Sequence, residues 1–232
     1  MATPLDLQEQ EQLDQLKHFW KQYASLITWL VIIALAAFAA FNGWQWLQRD
    51  RAAKAGALYD QLDQAVQAGD VDKSARVFAD IKERHGSTAF AEQAGMLTAK
   101  LQFEKGQLDA ARASLEWVAA NATEKEYQWL ARLRLAGILL DQKKYDEALE
   151  ALPTEADKAF VALAFDRRGD ILLAQGKVEE AKTAYRSAWE SIDPVLDYRR
   201  LVDAKLTSLG AAPAAPAEPG PAASAAAEGA SK

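Results

Sequence analysis

The sequence predicts an all-α protein: a single membrane-spanning helix near the amino end, then an α-solenoid of about four helix pairs closed by one further helix. Three observations carry this expectation. An uninterrupted apolar run fills residues 24–41 of a chain in which 26% of residues are charged. Beyond it, apolar residues recur at helical spacing with no alternating β-type runs. Small residues then recur at a period close to that of stacked helix pairs.

The 232 residues, half of them apolar, suffice for one domain of ordinary size with attachments. A formal charge of -6 is spread along the chain without a basic run, which excludes the usual footprint of a nucleic-acid partner. The absence of cysteine excludes disulfides, thiolate metal sites and cysteine nucleophiles, and leaves the compartment open.

The first element is "YASLITWLVIIALAAFAAFNGWQWLQRD", which starts at Tyr23 and meets no charge before Arg49. Residues 24–41 contain nothing more polar than Ser25 and Thr28. As a helix they would extend about 27 Å, close to a bilayer core. Trp29 lies early in the run, and Trp44 and Trp46 lie at its far edge beside Arg49, Arg51 and Lys54. Aromatic belts and snorkelling cations mark a lipid–water boundary in this way. Residues 23–48 are therefore read as an anchor in a lipid bilayer, edged by Trp29, Trp44, Trp46 and Arg49.

A buried helix of a soluble domain is seldom apolar on every face for this length. A cleaved export signal could use Ala34-Leu35-Ala36, yet residues 1–22 set Asp6, Glu9, Glu11 and Asp14 against Lys17 and Lys21 instead of providing a short basic start. Flanking cations, Lys17 and Lys21 before the run and Arg49, Arg51 and Lys54 after it, leave the orientation undecided. Residues 1 to about 12 are expected to be loose. Leu13, Leu16, Phe19, Trp20 and Tyr23 form a stripe that extends the anchor helix into the interface.

The repeat domain is expected over residues 52–209. "QAGDVDKSARVF", "FEKGQLDAARASL", "LDQKKYDEALEAL" and "LAQGKVEEAKTAY" share a turn residue (Gly69, Gly106, Lys143, Gly176), an apolar or aromatic residue two later, then Ser74, Ala111, Ala148 or Ala181. These small residues are spaced by 37, 37 and 33, near the 34-residue period of tetratricopeptide helix pairs. Glycine permits the left-handed turn that ends one helix, and the small residue lets the next lie close. Val71, Leu108, Tyr145 and Val178 fill the gap between them. The fourth unit fits best, with Gly169, Leu172, Gly176, Ala181, Tyr185 and Ala188 in register and Pro194 ending it; the first is weakest.

Thr123 with Glu126 reads as a capping box, and Thr154 with Asp157 as a weaker one. An amphipathic helix over residues 195–209, with Leu201, Val202, Leu206 and Leu209 apolar, can cap the stack. Residues 210–232, rich in Ala and Pro without periodicity, are read as a disordered tail.

Catalytic signatures are missing: no Gly-rich phosphate loop, no His-Glu-x-x-His, no Gly-x-Ser-x-Gly and no cluster of metal ligands. His18 beside the anchor and His85 before Gly86 read as structural, and Glu179 and Glu180 as a solvated helix start. Arg168-Gly169-Asp170 spells an adhesion tripeptide, but Gly169 falls where a repeat needs a small residue. The expectation is a protein with no catalytic, metal or cofactor-binding residues.

What remains is surface. Projecting the repeat register places Met96, Phe103, Leu133, Leu140, Leu163 and Leu173 near a concave wall, where Met96 and Phe103 could offer an adaptable groove to an extended chain. The competing reading makes each of them packing between repeats, as it does Trp117, Trp129 and Trp189.

Taken together, "QLKHFWKQYASLITW", "GWQW", "STAFAEQAGMLTAKLQFEKG", "EWVAAN", "LARLRLAGILLDQKKYDEAL" and "RRGDILLAQGKVEEAKTAY" resemble, in order and spacing, the YfgM-like family, the tetratricopeptide-repeat ancillary subunit of the bacterial Sec translocon. The resemblance covers roughly residues 10–209 and leaves out the tail. It implies a bacterial inner-membrane protein with a short cytoplasmic start (residues 1–22), one crossing and a periplasmic helical domain. It also implies association with the Sec channel and with a membrane-anchored periplasmic chaperone of the prolyl-isomerase type, assisting hand-over of emerging envelope proteins. No catalytic residue transfers. The alternative is a stand-alone client-binding chaperone, or a scaffold for another envelope complex.

Overall fold

The computed structural model describes residues 7–154 and 157–212, which form nine helices and no strand. The tail expected over residues 210–232 lies outside them from 213 onward, as do residues 1–6. The chain divides into two compact units between Lys54 and Ala55.

Helix α1 (Leu7–Gln67) contributes to both units. It starts earlier than expected: residues 7–12 are helical, because Leu, Gln and Glu are good helix formers and no Gly or Pro follows Pro4 until Gly43. In the first unit its apolar stretch presents every face outward; Leu30, Val31, Ile33, Leu35, Phe38 and Phe41 are all exposed. Thr28 inside the stretch and Asn42 just past it turn back onto their own helix. Thr28 Oγ1 donates to the Ala24 carbonyl at 2.7 Å, and Asn42 Nδ2 to the Phe38 carbonyl at 2.9 Å. These two bonds lower the cost of carrying a hydroxyl and an amide into or beside hydrocarbon.

In the second unit the last part of α1 pairs with α2 (Val71–His85), followed by α3 (Ala89–Glu104) with α4 (Leu108–Asn121), α5 (Lys125–Asp141) with α6 (Tyr145–Ala151), α7 (Lys158–Ala174) with α8 (Val178–Ser191), and α9 (Tyr198–Ser208). Each first helix ends alike. Gly69, Gly106, Lys143 and Gly176 all lie in the left-handed region, with φ of 69°, 74°, 59° and 79°. The next amide then reaches back five residues: Asp70 to Ala65, Gln107 to Gln102, Lys144 to Leu139 and Lys177 to Leu172, all at 2.8–2.9 Å. These bonds satisfy carbonyls that a helix end leaves open. Ser74, Ala111, Ala148 and Ala181 are each fully buried where the second helix meets the first.

Lys143 alone among the four turn residues carries a side chain in this conformation. A left-handed side-chain-bearing residue costs roughly 1–2 kcal/mol, partly offset by the greater unfolded-state freedom of glycine. Lys143→Gly is therefore expected to raise stability by about 0.5–1 kcal/mol, read as a higher urea midpoint at constant slope.

Three buried clusters run through the stack. Leu62, Val77, Phe78, Ile81, Ala91 and Ala94 join α1, α2 and α3; Leu115, Val118, Leu139 and Ile171 join α4 to α7; and Leu172, Tyr185, Val202 and Leu206 join α7, α8 and α9. Trp117 meets Phe78 edge-on at 5.4 Å, Trp129 packs on Phe160 at 5.2 Å, and the Arg199 guanidinium lies 3.8 Å over the Trp189 ring. The third pair is cut short: α6 spans 7 residues against 14 in α4 and α8, with Pro153 just after it. The shorter spacing of 33 after Ala148 accompanies that loss.

Neither expected capping box forms. Helix α5 begins at Lys125 and α7 at Lys158, so Glu124 and Asp157 occupy the cap positions that Thr123 and Thr154 were expected to hold, and neither caps with its side chain. The start of α5 is capped from another helix. Glu92 of α3, fully buried, accepts the Thr123 amide at 2.5 Å and the Glu124 amide at 3.4 Å through Oε1. A carboxylate at the positive end of a helix is favoured both by charge-assisted bonds and by the helix dipole. Glu92→Ala leaves those amides unmet and is expected to cost about 2 kcal/mol. An unchanged urea midpoint would contradict this role.

The closing helix is α9, Tyr198–Ser208, shorter than the expected 195–209; Val195 and Leu196 sit exposed in the loop before it. Val202 and Leu206 are fully buried and Leu201 is exposed. Gly210 repeats the left-handed turn at φ 69°, and the Ala211 amide reaches the Leu206 carbonyl at 2.9 Å. Helix α9 therefore ends as the first helix of a further pair would. Its outward Arg200, Asp203 and Thr207 give the polar face that a terminal repeat requires. Ala211, expected in the tail, is buried against this end.

Candidate protein-binding site

Along α1, Trp29, Trp44, Trp46 and Arg49 are all exposed on the first unit. Tyr23 and Trp44 are separated by about 31 Å of helix, the thickness of a hydrocarbon core. Among the described residues one helix is long and apolar enough to cross a membrane, and its most apolar window is 0% buried. A soluble core helix would be mostly buried there.

In the second unit the six wall residues separate by environment. Met96 and Leu133 are core, at 6% and 7% exposed, and Leu140 and Leu163 pack half-buried against the same cluster. Met96 and Leu133 therefore do not line a surface, because helix stacking covers apolar positions between neighbouring pairs as well as within them. Phe103 and Leu173 are open to solvent, at 44% and 38%.

Phe103 lines a cleft of about 470 Å³ between α3, α5 and α7, with α4 contributing to its floor. Ala99, Leu115 and Ile138 form its apolar floor, and Lys100, Arg134 and Arg167 supply cations. Arg134 and Arg167 occupy one register, nine residues before the turn residues Lys143 and Gly176. The second of them lies against α5 at Gly137, its guanidinium 3.7–3.8 Å from where a Cβ would stand, an ordinary contact distance. These arginines escaped the sequence reading, which followed apolar residues through the repeat; following charged residues through the same register would have found them.

Beside the cleft, Arg167 faces Asp170 at 3.8 Å, and Asp170 joins a network that fixes α9. Lys205 Nζ of α9 donates to Asp166 at 2.8 and 2.9 Å and to Asp170 at 2.6 Å. The Tyr198 hydroxyl donates to Asp166 at 2.6 Å and the Tyr185 hydroxyl to Asp170 at 2.8 Å. Burial, then these bonds to carboxylates, push both phenols well above the ordinary tyrosine value, so both hold their protons. The Arg168-Gly169-Asp170 tripeptide is thus part of the packing: Gly169 abuts the Tyr185 ring and Asp170 is engaged on three sides. His18 is exposed and His85 half-buried at the end of α2. Among the described residues no group of His, Asp and Glu is placed to hold a metal ion.

Residues 17–211 match the tetratricopeptide repeat-like domain family, a span that includes the apolar stretch of α1. The ancillary SecYEG translocon subunit of Neisseria gonorrhoeae is 31% identical over 204 residues, 88% of this chain and 98% of that protein. The chain belongs to the family of ancillary SecYEG translocon subunits. Members of the same name from Haemophilus influenzae and Escherichia coli are each 28% identical, over 80% and 79% of this chain and 90% and 86% of their own. Among solved structures, the MamA fragment (residues 41 to the end) from Desulfovibrio magneticus RS-1 aligns over 68% of this chain and 88% of its own, at 16% identity and a TM-score of 0.47, a likeness on which no conclusion rests. Repeat domains of this family are protein-binding rather than catalytic in type.

Proposed function

We propose that this protein is a membrane-anchored, non-enzymatic adaptor of the Sec translocon, held in the bacterial inner membrane by α1 with its repeat domain in the periplasm. The observation that carries this reading is the match to ancillary SecYEG translocon subunits across 98% of the length of a relative, beside a family match over residues 17–211 that takes in the apolar helix. An anchor confines the repeats to the plane of the channel, which raises their effective concentration, so weak contacts suffice. In that position the adaptor meets emerging envelope proteins and a membrane-anchored chaperone of the prolyl-isomerase type, and assists hand-over between channel and chaperone. Purification of the full chain in mild detergent is expected to recover both the channel and the chaperone. Recovery of the channel without the chaperone removes the hand-over step, and recovery of neither after crosslinking in intact membranes contradicts the adaptor.

A second reading, direct holding of unfolded clients, draws support from the exposed Phe103 ring in the cleft. Phe103→Asp tests it without disturbing the core, whereas Met96→Asp would bury a charge and unfold the domain. Loss of aggregation suppression in the Phe103 variant, with channel recovery intact, would favour this reading.

A further inference from the structure

The cleft between α3, α5 and α7 has a polarity along its length. Arg134 and Arg167 stand nine residues before their turn residues; Glu104 and Asp141 stand two before theirs. Seven residues of helix separate Arg134 from Asp141, about 10 Å. One end of the cleft is thus cationic and the other acidic, with Phe103 and Ile138 between. Glu104 is met loosely by Lys100 at 3.8 Å, Arg167 is steadied by Asp170, and neither Arg134 nor Asp141 forms an ion pair among the described residues. Two unspent charges of opposite sign flank one apolar floor.

Such a surface selects for a ligand with the reverse pattern. An extended polypeptide in the polyproline II conformation rises about 3.1 Å per residue with three residues per turn, which returns positions i and i+3 to one face about 9 Å apart. That matches the spacing of the two ends. A phosphate group, free or on a lipid, would satisfy the arginines but leave Asp141 and Glu104 facing like charge. We propose that this cleft binds an extended polypeptide segment carrying a carboxylate and an ammonium group three residues apart around apolar side chains, with Arg134 and Arg167 taking the carboxylate and Phe103 the apolar group. The inference rests on the reading that the repeat domain works by binding proteins, and names the chemistry it would take.

The test uses the full chain in detergent micelles and fluorescent peptides with Glu-Leu-Leu-Lys or Lys-Leu-Leu-Glu in a Gly/Ser background, acetylated and amidated at their ends. Both orders are included because the cleft does not fix chain direction. Anisotropy titration is expected to show at least one order binding, weakened about tenfold when its Glu becomes Gln. In Arg134→Gln/Arg167→Gln that difference should shrink below about twofold, as expected when peptide and protein charges are coupled. Phe103→Ser should weaken both peptides. A Lys-Leu-Leu-Ala peptide with a free carboxyl end binding as well as the Glu peptides would identify a chain terminus as the carboxylate source. Equal affinity for Glu and Gln peptides, undiminished discrimination in the double arginine variant, complete displacement by millimolar inorganic phosphate, or no binding at 1 mM peptide would each overturn the proposal. Recovery of the Sec channel is scored separately: if it persists while peptide discrimination is absent, the cleft proposal falls alone. If discrimination is present and the channel is never recovered, the adaptor reading falls and the cleft stands.

Discussion

Gly169→Val is expected to lower the stability of the repeat domain by about 3 kcal/mol or more. At Gly169 a Cβ would overlap the ring of Tyr185, at Cδ1, Cε1 and Cζ. That ring cannot swing aside cheaply, since it is 1% exposed, its hydroxyl is bonded to Asp170 and Lys205 Nζ lies 5.2 Å from its centre. Helix α7 pairs with α8 through this contact, and the pair carries α9. Gly169→Ala separates two opposing effects. Removing a helical glycine gains about 0.8–1 kcal/mol, while forcing a close contact in a packed core costs about 1–3. The contact should win, giving a net loss of about 1–2 kcal/mol, or roughly 2–8 °C in melting temperature for a domain of this size. Tyr185→Leu in the same chain should shrink the added cost of the alanine, a non-additivity expected only if the two side chains collide. A melting temperature raised by Gly169→Ala would contradict the packing.

Asp166→Ala is expected to free α9 at a cost of about 3 kcal/mol, toward the lower end for breaking a buried ion pair because Lys205 keeps Asp170 and is 25% exposed. The Asp166 side chain is 7% exposed and accepts from both Lys205 and Tyr198, so its loss strips α9 of two of the contacts that join it to α7. Amide exchange reads this locally. Residues of Tyr198–Ser208 should exchange about a hundredfold faster while those of α3 to α6 hold their rates. Uniform acceleration through all helices would mean that α9 is not a separable cap; unchanged exchange in α9 would mean that Val202 and Leu206 hold it without the network.

Much of the fold was legible because it rests on local chemistry. The turn residues, Lys143 among them, were readable from register alone, since a helix pair must end and reverse at a fixed offset. Ser74, Ala111, Ala148 and Ala181 followed from the need for close approach, and all four are buried. The apolar span of α1 announced itself by length and flanks. What escaped the reading lies between residues far apart in the chain. Glu92 caps a helix that starts more than thirty residues later, and Asp166 holds Lys205 from 39 residues away. No local window shows either pairing. Among the wall residues, Phe103 and Leu173 are exposed whereas Met96 and Leu133 are buried in the core, a distinction that apolar spacing cannot make because both faces of a stacked helix are apolar. The arginines were hidden for the opposite reason, being charged residues in a search for greasy ones.

In the proposed function, α1 holds a protein-binding repeat domain at the outer face of the inner membrane. Protease added to intact spheroplasts carrying the full chain tests it most directly. The expected result is digestion of the repeats from outside, leaving a membrane-bound fragment that contains α1. Full-length protein that resists until the spheroplasts are lysed, or that is released from them undigested, would contradict it.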